Sequence, residues 1–284
     1  SLVVDYSFST NFTLWNFKES ELEMHAIGIV NVNTSQAMTD IIVQGAEEVA
    51  APDTTIIGVT PSIGPASVET HVEAYLSATG VIDAFHRYQS SCDEPHEDQR
   101  KRVDAWIIAG YGDLGKEALQ ELTDVPVVDI TEAAAVAAMA VGDTVGVVTA
   151  LDRTTPMIRS RLRQSGLLDR CVSITGTGLG VLELEEDSER TNRRIIETAR
   201  QALQPNLSGQ RAEAICLGCG GMAGQARRLS EVLGVPVIDG VAAAVGQAES
   251  LIRQGLRTSR VGTFAPREHK PLHGFEHLEV QKSQ

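Results

Sequence analysis

Two segments of the sequence resemble each other, and only one of them carries a thiol at a shared position. Residues 104–129 read DAWIIAGYGDLGKEALQELTDVPVVD, and residues 213–239 read EAICLGCGGMAGQARRLSEVLGVPVID. When the two segments are aligned, Gly110 stands opposite Cys219. A cysteine that opens a helix lies near unpaired N–H groups and the positive end of the helix dipole, which favour the thiolate. We therefore predict that Cys219 is a nucleophile or a base; a buried, inert cysteine is the alternative.

The pattern of apolar residues predicts which elements position this thiol. Short runs rich in Val and Ile alternate with longer segments of helical period, and the runs are apolar throughout. Strands of this kind, with helices between them, indicate parallel sheets covered on both faces. Strands are predicted near 26–32, 55–60, 104–109, 126–129, 144–149, 171–174, 213–217 and 235–238, and helices at 36–50, 114–122, 131–141, 154–165, 187–203, 222–233 and 240–254.

The internal repeat extends beyond the two opening segments. Each copy has a VPV strand that ends in Asp129 or Asp239 and leads into an Ala-rich helix, and we favour a helix-capping role for both acids. The same order of landmarks over about 100 residues predicts two similar α/β halves, related by a pseudo-twofold axis, with a cleft between them. The expected division is an N-terminal extension (1–23), a first half (24–127 plus about 236–265), a second half (128–235) and a polar, mobile C-terminal tail (266–284).

Residues that directly follow equivalent strands are expected to line the cleft, because ligands bind at the carboxyl ends of parallel strands. Asn33, Thr34, Gly110, Thr149 and Cys219 occupy such positions.

Other motifs predict no further chemistry. In CLGC, Cys216 lies within a strand and Cys219 after it, which argues against a redox or zinc pair. GTGLG lacks the spacing of a dinucleotide fingerprint, and Pro271 and Gly274 separate the three C-terminal histidines. We therefore expect no cofactor and no metal.

Composition narrows the possible partners. The 284 residues include 24 basic and 38 acidic side chains, and the net charge of −14 argues against a nucleic-acid-binding protein. No apolar run approaches the roughly 18 residues of a membrane span, and the first 23 residues lack the basic start and apolar centre of a secretory signal. Four irregularly spaced cysteines indicate reduced thiols. We expect a cytoplasmic homo-oligomer that acts on a small molecule and binds neither membranes nor nucleic acid.

Several motifs together resemble the aspartate/glutamate/hydantoin racemase superfamily, and most closely its hydantoin and allantoin racemases. The motifs are NVNTSQAMT, TPSIGPASVE, IIAGYGDLG, LLDRCVSI, VLELE, LGCGGMA and GVPVIDGVAAAV, and the similarity runs from about Met24 to Ala265. The resemblance implies a cofactor-independent isomerase in which two cysteines on opposite faces of the substrate exchange a proton next to a carbonyl. It implies that Cys219 is the second thiol, that Asn33, Thr34 and Ser35 form a substrate-binding turn, and that Gly220 and Gly221 offer N–H groups to an enolate oxygen.

The sequence departs from the family pattern at the first thiol. Where the family has Cys, an aromatic residue, Gly and Asp, this chain has Gly110, Tyr111, Gly112 and Asp113. Tyr111 and Asp113 are the nearby groups that could replace the missing base, and Tyr111 and Thr149 are also candidate substrate-binding residues. Arylmalonate decarboxylases, in the same superfamily, share the glycine and keep one cysteine as proton donor. The glycine is also expected to make room for a bulkier substituent.

Four alternatives therefore remain. The first is a racemase-like enzyme with Cys219 as acid/base, and the second is a decarboxylase-like lyase with Cys219 as its single proton donor. The third is a ligand-binding homologue without turnover, and the fourth is a Cys→Gly change introduced at position 110. The candidate substrates are a hydantoin, allantoin, an amino acid or a substituted malonate.

Overall fold

The protein, described here as a computed structural model, is built on two four-stranded parallel sheets. The structure describes residues 24–93, 102–186 and 188–279, so the predicted extension at 1–23 lies outside the described residues. The first sheet has the strand order β2-β1-β3-β4, and the second has the order β6-β5-β7-β8. The predicted α/β class is confirmed. The strands are β1 His25–Val30, β2 Thr54–Val59, β3 Ala105–Ile108, β4 Val127–Asp129, β5 Val145–Thr149, β6 Cys171–Gly176, β7 Ala214–Leu217 and β8 Val237–Asp239.

Helices connect the strands and cover the sheets. They are α1 Gln36–Glu47, α2 His71–Asp93, α3 Lys116–Leu122, α4 Ile130–Met139, α5 Thr155–Gln164, α6 Glu183–Glu186, α7 Ser188–Ala202, α8 Ala226–Leu233 and α9 Gly240–Arg253. The 23-residue helix α2 is absent from the sequence-based assignment, and the helix predicted at 222–233 begins only at Ala226. None of the helices in the described ranges is long and apolar enough to cross a bilayer.

The two sheets repeat one topology, which places the two aligned segments at equivalent points. In each sheet the first strand of the half lies between the second and the third, and all neighbouring strands are parallel. Gly110 is the second residue after β3, and Cys219 is the second residue after β7. Gly110 and Cys219, which are aligned in the sequence, therefore also occupy equivalent positions in the two halves of the fold.

The last helix of each half packs against the sheet of the other half. Helix α4 follows the first sheet but packs against β7 and β8, whereas α9 follows the second sheet and packs against β1, β3 and β4. The two Ala-rich helices also contact each other. At their starts, an added Cβ on Gly240 would lie 2.9 Å from the carbonyl oxygen of Ile130, so this close approach requires glycine. The exchange of helices joins the halves through a shared core.

The strand pairing differs from the expected division of the chain at both of its internal boundaries. Residues 128–129 were assigned to the second half, but β4 pairs with β3 in the first sheet. Residues 237–239 were assigned to the first half, but β8 pairs with β7 in the second sheet. Only α9, immediately after it, returns to the first sheet. The division into domains otherwise stays a prediction, as do the homo-oligomeric state and the cytoplasmic location.

Asp129 and Asp239 cap the two exchanged helices, as predicted. The side chain of Asp129 accepts a hydrogen bond from the N–H of Glu132, and that of Asp239 accepts from the N–H groups of Val241 and Ala242. Asp129 also forms an ion pair with Arg161, with 2.7 Å between Oδ2 and Nε.

Arg161 links the two halves. It lies on α5, is almost completely buried, and pairs with Asp129 at the end of β4, with Glu117 on α3 and with Glu132 on α4. Burial lowers the pKa of this guanidinium, but the neighbouring carboxylates of Asp129 and Glu117 more than offset that effect, so the pKa is raised. The ion pairs therefore hold the second half against the first, beside the cleft.

The C-terminal segment packs on the first half rather than extending freely. Arg260 donates to the carbonyl oxygens of Gln120, Glu121 and Thr123 at the end of α3. His277 Nε2 lies 2.9 Å from Oδ1 of the buried Asp83 on α2. The polar tail predicted at 266–284 is thus docked along its described part, which ends at residue 279.

Candidate active site

A cavity lies between the carboxyl ends of the two sheets. Both halves contribute to its wall, as the internal repeat predicts. The predicted site residues that line it are Asn33, Gly110, Tyr111, Thr149, Cys219, Gly220 and Gly221. Thr34 and Ser35 do not line it. The roles of all nine stay predictions, but seven of them share one cavity.

The loop after β1 is fixed by a network of amide side chains. Asn31 Nδ2 donates to the side-chain oxygens of Asn33 and Thr39, at 2.9 and 3.0 Å. Asn33 Oδ1 also accepts from the N–H of Ser35. Because the amide oxygen of Asn33 is engaged within the loop, its Nδ2 group is the end left for a ligand carbonyl.

Thr34 and Ser35 stabilise this loop from outside the cavity. The N–H of Thr34 donates to the carbonyl oxygen of Pro65, 3.0 Å away. Ser35 is the N-cap of α1, and its hydroxyl oxygen accepts from the N–H of Met38. Direct substrate contact by Thr34 and Ser35 therefore stays a prediction, whereas the structure gives both a role in holding Asn33.

Cys219 lies at the start of a short turn and not at the start of a long helix. It caps a three-residue 3-10 turn, Gly220–Met222, and α8 begins only at Ala226. The predicted dipole of a full helix is therefore absent beside the thiol. What the turn does supply is N–H groups, because the first residues of a helical turn have no partner within it. Gly220 and Gly221 are those first residues, and both line the cavity.

Close packing explains the glycines around the thiol. An added Cβ on Gly220 would lie 2.9 Å from the carbonyl oxygen of Ala109, which belongs to the opposite half. One on Gly221 would lie 3.0 Å from the sulfur of Met38. Further along the loop, the N–H of Gly224 donates to Asp239 Oδ2 at 2.6 Å. The helix cap Asp239 thus also anchors the loop that carries Cys219.

Thr149 is a structural neighbour of the thiol loop. Its buried hydroxyl donates to the carbonyl oxygen of Gly218, at 2.9 Å, directly before Cys219. The hydroxyl of Thr154 lies 3.4 Å from that of Thr149, and both residues line the cavity. Thr149 therefore fixes the end of β7 from the neighbouring strand β5.

The space beside Gly110 is already filled, which contradicts the expectation of room for a bulkier substituent. An added Cβ on Gly110 would lie 2.4 Å from Leu114 Cδ1 and 2.6 and 2.7 Å from the two methyl carbons of Val32. Real Cβ contacts are essentially never this short. The glycine makes close packing possible here and leaves no vacant volume.

Neither residue considered as a replacement base is suited to that role. Tyr111 lines the cavity, but its hydroxyl is buried and has no hydrogen-bond partner among the described residues. Burial, together with the negative charge of nearby Asp239 and Asp129, raises the pKa of Tyr111 well above its ordinary value. Asp113 lies in a separate groove outside the cavity.

Substitution of Tyr111 by Phe tests this interpretation. The variant keeps the ring and removes a buried hydroxyl without a partner, so we expect unfolding free energy to be unchanged or raised by up to about 1 kcal/mol. Any proton exchange catalysed by the protein is expected to change by less than about threefold, because general acid–base groups contribute at least about 10²-fold. Denaturant unfolding and solvent-deuterium exchange measure the two effects. A large loss of exchange with intact stability would instead identify Tyr111 as a proton-transfer residue.

Several cavity residues were not predicted from the sequence. Met38, Met157 and Val181 line the cavity, as does Val68. Val68 lies in the TPSIGPASVE motif, which was used only for the resemblance, and its neighbour Glu69 accepts a hydrogen bond from the N–H of Val181 across the two halves at 3.0 Å. Met38 and Val181 likewise lie in motifs quoted for the resemblance, NVNTSQAMT and VLELE, whereas Met157 lies outside them and carries an apolar side chain of a kind common in any core.

The remaining cysteines lie away from the cavity. Cys216 is buried in the core within β7, and burial raises its pKa far above the ordinary value, which agrees with its predicted exclusion from a dithiol pair. Burial raises the pKa of Cys171 to about 11. Within the described ranges, no three His, Cys, Asp or Glu side chains form a group that could hold a metal ion.

Comparison with known proteins now assigns the family. A model of the Asp/Glu/hydantoin racemase family matches residues 27–248. The chain belongs to the Asp/Glu/hydantoin racemase family. A hydantoin racemase from Pseudomonas sp. (strain NS671) is 39% identical over 248 residues, which cover 87% of this chain and 94% of that relative. A crystal structure of allantoin racemase from Pseudomonas fluorescens is 47% identical, with a TM-score of 0.78, covering 87% of this chain and 99% of that one.

These similarities confirm the predicted resemblance and the prediction of an enzyme. The relatives are racemases, which are isomerases, and the similarity spans nearly all of their length. A crystal structure of arylmalonate decarboxylase is 17% identical, with a TM-score of 0.55, covering 81% of this chain and 93% of that one. At this identity the decarboxylase shows the shared fold alone.

Proposed function

We propose that the protein is a cofactor-independent enzyme of the hydantoin and allantoin racemase type, in which Cys219 transfers a proton at a carbon next to a carbonyl. Gly110 stands in place of the family's first thiol. One observation carries the proposal: among the described residues that line the cavity, only Cys219 and Tyr111 can ionise. Because the hydroxyl of Tyr111 is buried away and its pKa is raised, Cys219 is left as the single acid/base group.

The surrounding groups support proton abstraction by this thiol. In the proposed step the thiolate of Cys219 removes the proton next to the carbonyl, the C–H electron pair moves into an enolate, and the thiol returns a proton. The developing negative charge on the enolate oxygen needs hydrogen-bond donors held in place beforehand. Asn33, Gly220 and Gly221 line the cavity, and we assign this role to the Nδ2 group of Asn33 and the N–H groups of the two glycines. Each is held by the loop contacts around it.

The charge of the cavity favours a neutral ring as substrate. Among the described lining residues there is no Lys, Arg, Asp or Glu. Burial of an ion without a partner costs several kcal/mol or leads to its neutralisation. A malonate dianion or an amino acid would bring such charges, whereas a hydantoin or allantoin ring presents neutral carbonyl and N–H groups. We therefore propose hydantoin-type carbon acids as the substrate class.

A second candidate is a lyase of the arylmalonate decarboxylase type. The observation in its favour is that position 110 offers no acid or base, and decarboxylation needs only one proton donor. The lack of a cation on the cavity wall counts against a malonate substrate. A homologue that binds a ligand without turnover is the third outcome to be distinguished.

Incubation in deuterated water distinguishes the three. Single enantiomers of 5-substituted hydantoins, allantoin and disubstituted malonates are followed by proton NMR and polarimetry, and the rate without protein is subtracted. We expect protein-dependent deuterium incorporation at the hydantoin carbon with retained optical rotation, because Cys219 removes and returns the proton on the same face of the carbanion. Release of carbon dioxide from a malonate would replace this proposal with the lyase. Binding without either reaction would support the ligand-binding homologue.

A further inference from the structure

We infer that Val32 and Leu114 form a steric wall that determines which substituents the substrate can carry on the side of the cavity contributed by the first half. The inference rests on the proposed function and adds a specificity-determining element to it. Both side chains are buried, both line the cavity, and both crowd the position where Gly110 lacks a side chain. Cys219 comes from the second half, so the reacting carbon lies between a thiol and an apolar wall.

Val32 is the fixed part of this wall. Its N–H donates to Asn31 Oδ1 at 2.7 Å, and its carbonyl oxygen accepts from the hydroxyl of the buried Ser77 on α2 at 2.5 Å. Asn31 is held in turn by Thr39. A β-branched side chain has little freedom at χ1, so two methyl groups stay where a residue-110 side chain would lie. Val32 cannot withdraw without breaking both backbone contacts.

Leu114 is the adjustable part of the wall. It lies in the loop between β3 and α3, flanked by Gly112 and Gly115, whose φ angles of 120° and 99° are in the left-handed region that glycine adopts readily. These two turns direct Leu114 into the core, where it is 3% exposed. Its Cδ1 is the far end of a side chain with two rotatable bonds, and it can move by a rotamer change.

This arrangement has a consequence for substrate selection. A substituent of the reacting carbon that points toward the first half meets methyl groups and cannot displace Val32. When two substrates differ by one methylene group that binds in an apolar pocket, their kcat/KM values differ by about 10- to 200-fold. Truncation of the wall is therefore expected to favour large substituents over small ones. The chemistry at Cys219 is left in place.

The test compares Val32→Ala and Leu114→Ala with a matched control. Val127→Ala truncates a valine of the same core cluster with similar burial, 5% exposed against 7% for Val32, that does not line the cavity. For each protein, kcat/KM for deuterium exchange is measured with 5-benzyl- and 5-methylhydantoin. We expect the benzyl-to-methyl ratio to rise at least about tenfold in Val32→Ala, by a smaller factor in Leu114→Ala, and to stay constant in Val127→Ala.

A binding measurement separates this inference from the proposed function. Each substitution is combined with Cys219→Ser, and dissociation constants for the same two hydantoins are measured by calorimetry. A tenfold shift in the ratio of dissociation constants supports the wall even where no variant catalyses exchange, in which case only the proposed function fails. An unchanged ratio in both wall variants overturns the inference and leaves the function standing. If the parent protein binds neither hydantoin, both are overturned.

Discussion

Replacement of Cys219 by serine is expected to reduce protein-dependent deuterium exchange by about 10²- to 10⁴-fold, the usual contribution of a general acid–base group. A serine hydroxyl is a far weaker acid than a thiol and does not supply an anionic base near neutral pH. Because no other described lining residue offers an accessible ionisable group, no side chain is available to compensate. The rate of exchange at the carbon acid, measured by NMR under saturating substrate, checks this directly.

The matched control is Cys171→Ser. Cys171 is partly buried on the second sheet, and its thiol donates to the carbonyl oxygen of Ser173 at 3.3 Å, a bond that a serine hydroxyl can keep. Exchange by this variant is expected to equal that of the parent protein. Equal melting temperatures would show that Cys219→Ser leaves the loop intact, since Asp239 and Thr149 anchor it independently of the sulfur. Retention of more than a tenth of the rate by Cys219→Ser would contradict the assigned role.

The architecture could be predicted because the same local sequence patterns occur in both halves of the chain. Buried parallel strands are continuous apolar runs, and the equal spacing of Gly110 and Cys219 from their strands preserves the correspondence from sequence to structure. The same reasoning did not predict helix α2. Val72, Tyr75 and Leu76 are exposed near its start, while Val81 and Phe85 are buried further along. Apolar residues on both faces obscure the helical period.

The details of the site depended on contacts that no local pattern contains. The sequence indicated that Cys219 opens a helix, but Gly224, with a φ of 78°, interrupts the segment and delays α8 to Ala226. The filled volume beside Gly110 comes from Val32, which follows a different strand. A missing side chain in one segment predicts a gap, and only the packing of the neighbouring loop shows that the gap is occupied. For this reason the expectation of extra room was wrong.

The same packing sets the conditions for restoring a second thiol at position 110. Gly110→Cys alone is expected to give no racemisation and to lower unfolding free energy by about 1 to 3 kcal/mol, the usual cost of overpacking. Leu114 can rotate away, but the methyl groups of Val32, 2.6 and 2.7 Å from the new Cβ, remain in place. Gly110→Cys combined with Val32→Ala removes those methyl groups and places a thiol on the first-half wall. Chiral chromatography of a single hydantoin enantiomer measures the resulting inversion.

The double variant is expected to increase racemisation at least about a hundredfold over the parent protein, because an acid/base group then serves each face of the carbanion. Gly110→Ser combined with Val32→Ala is the matched control. It adds a side chain of the same shape but slightly smaller size, removes the same methyl groups of Val32 and lacks a thiol, so it should show no gain. The two variants also separate size from chemistry. Equal gains in both double variants would mean that removal of the Val32 methyl groups, and not the second thiol, permits inversion. No gain in either, with exchange through Cys219 retained, would mean that position 110 does not reach the reacting carbon, and Gly110 would then have only a packing role.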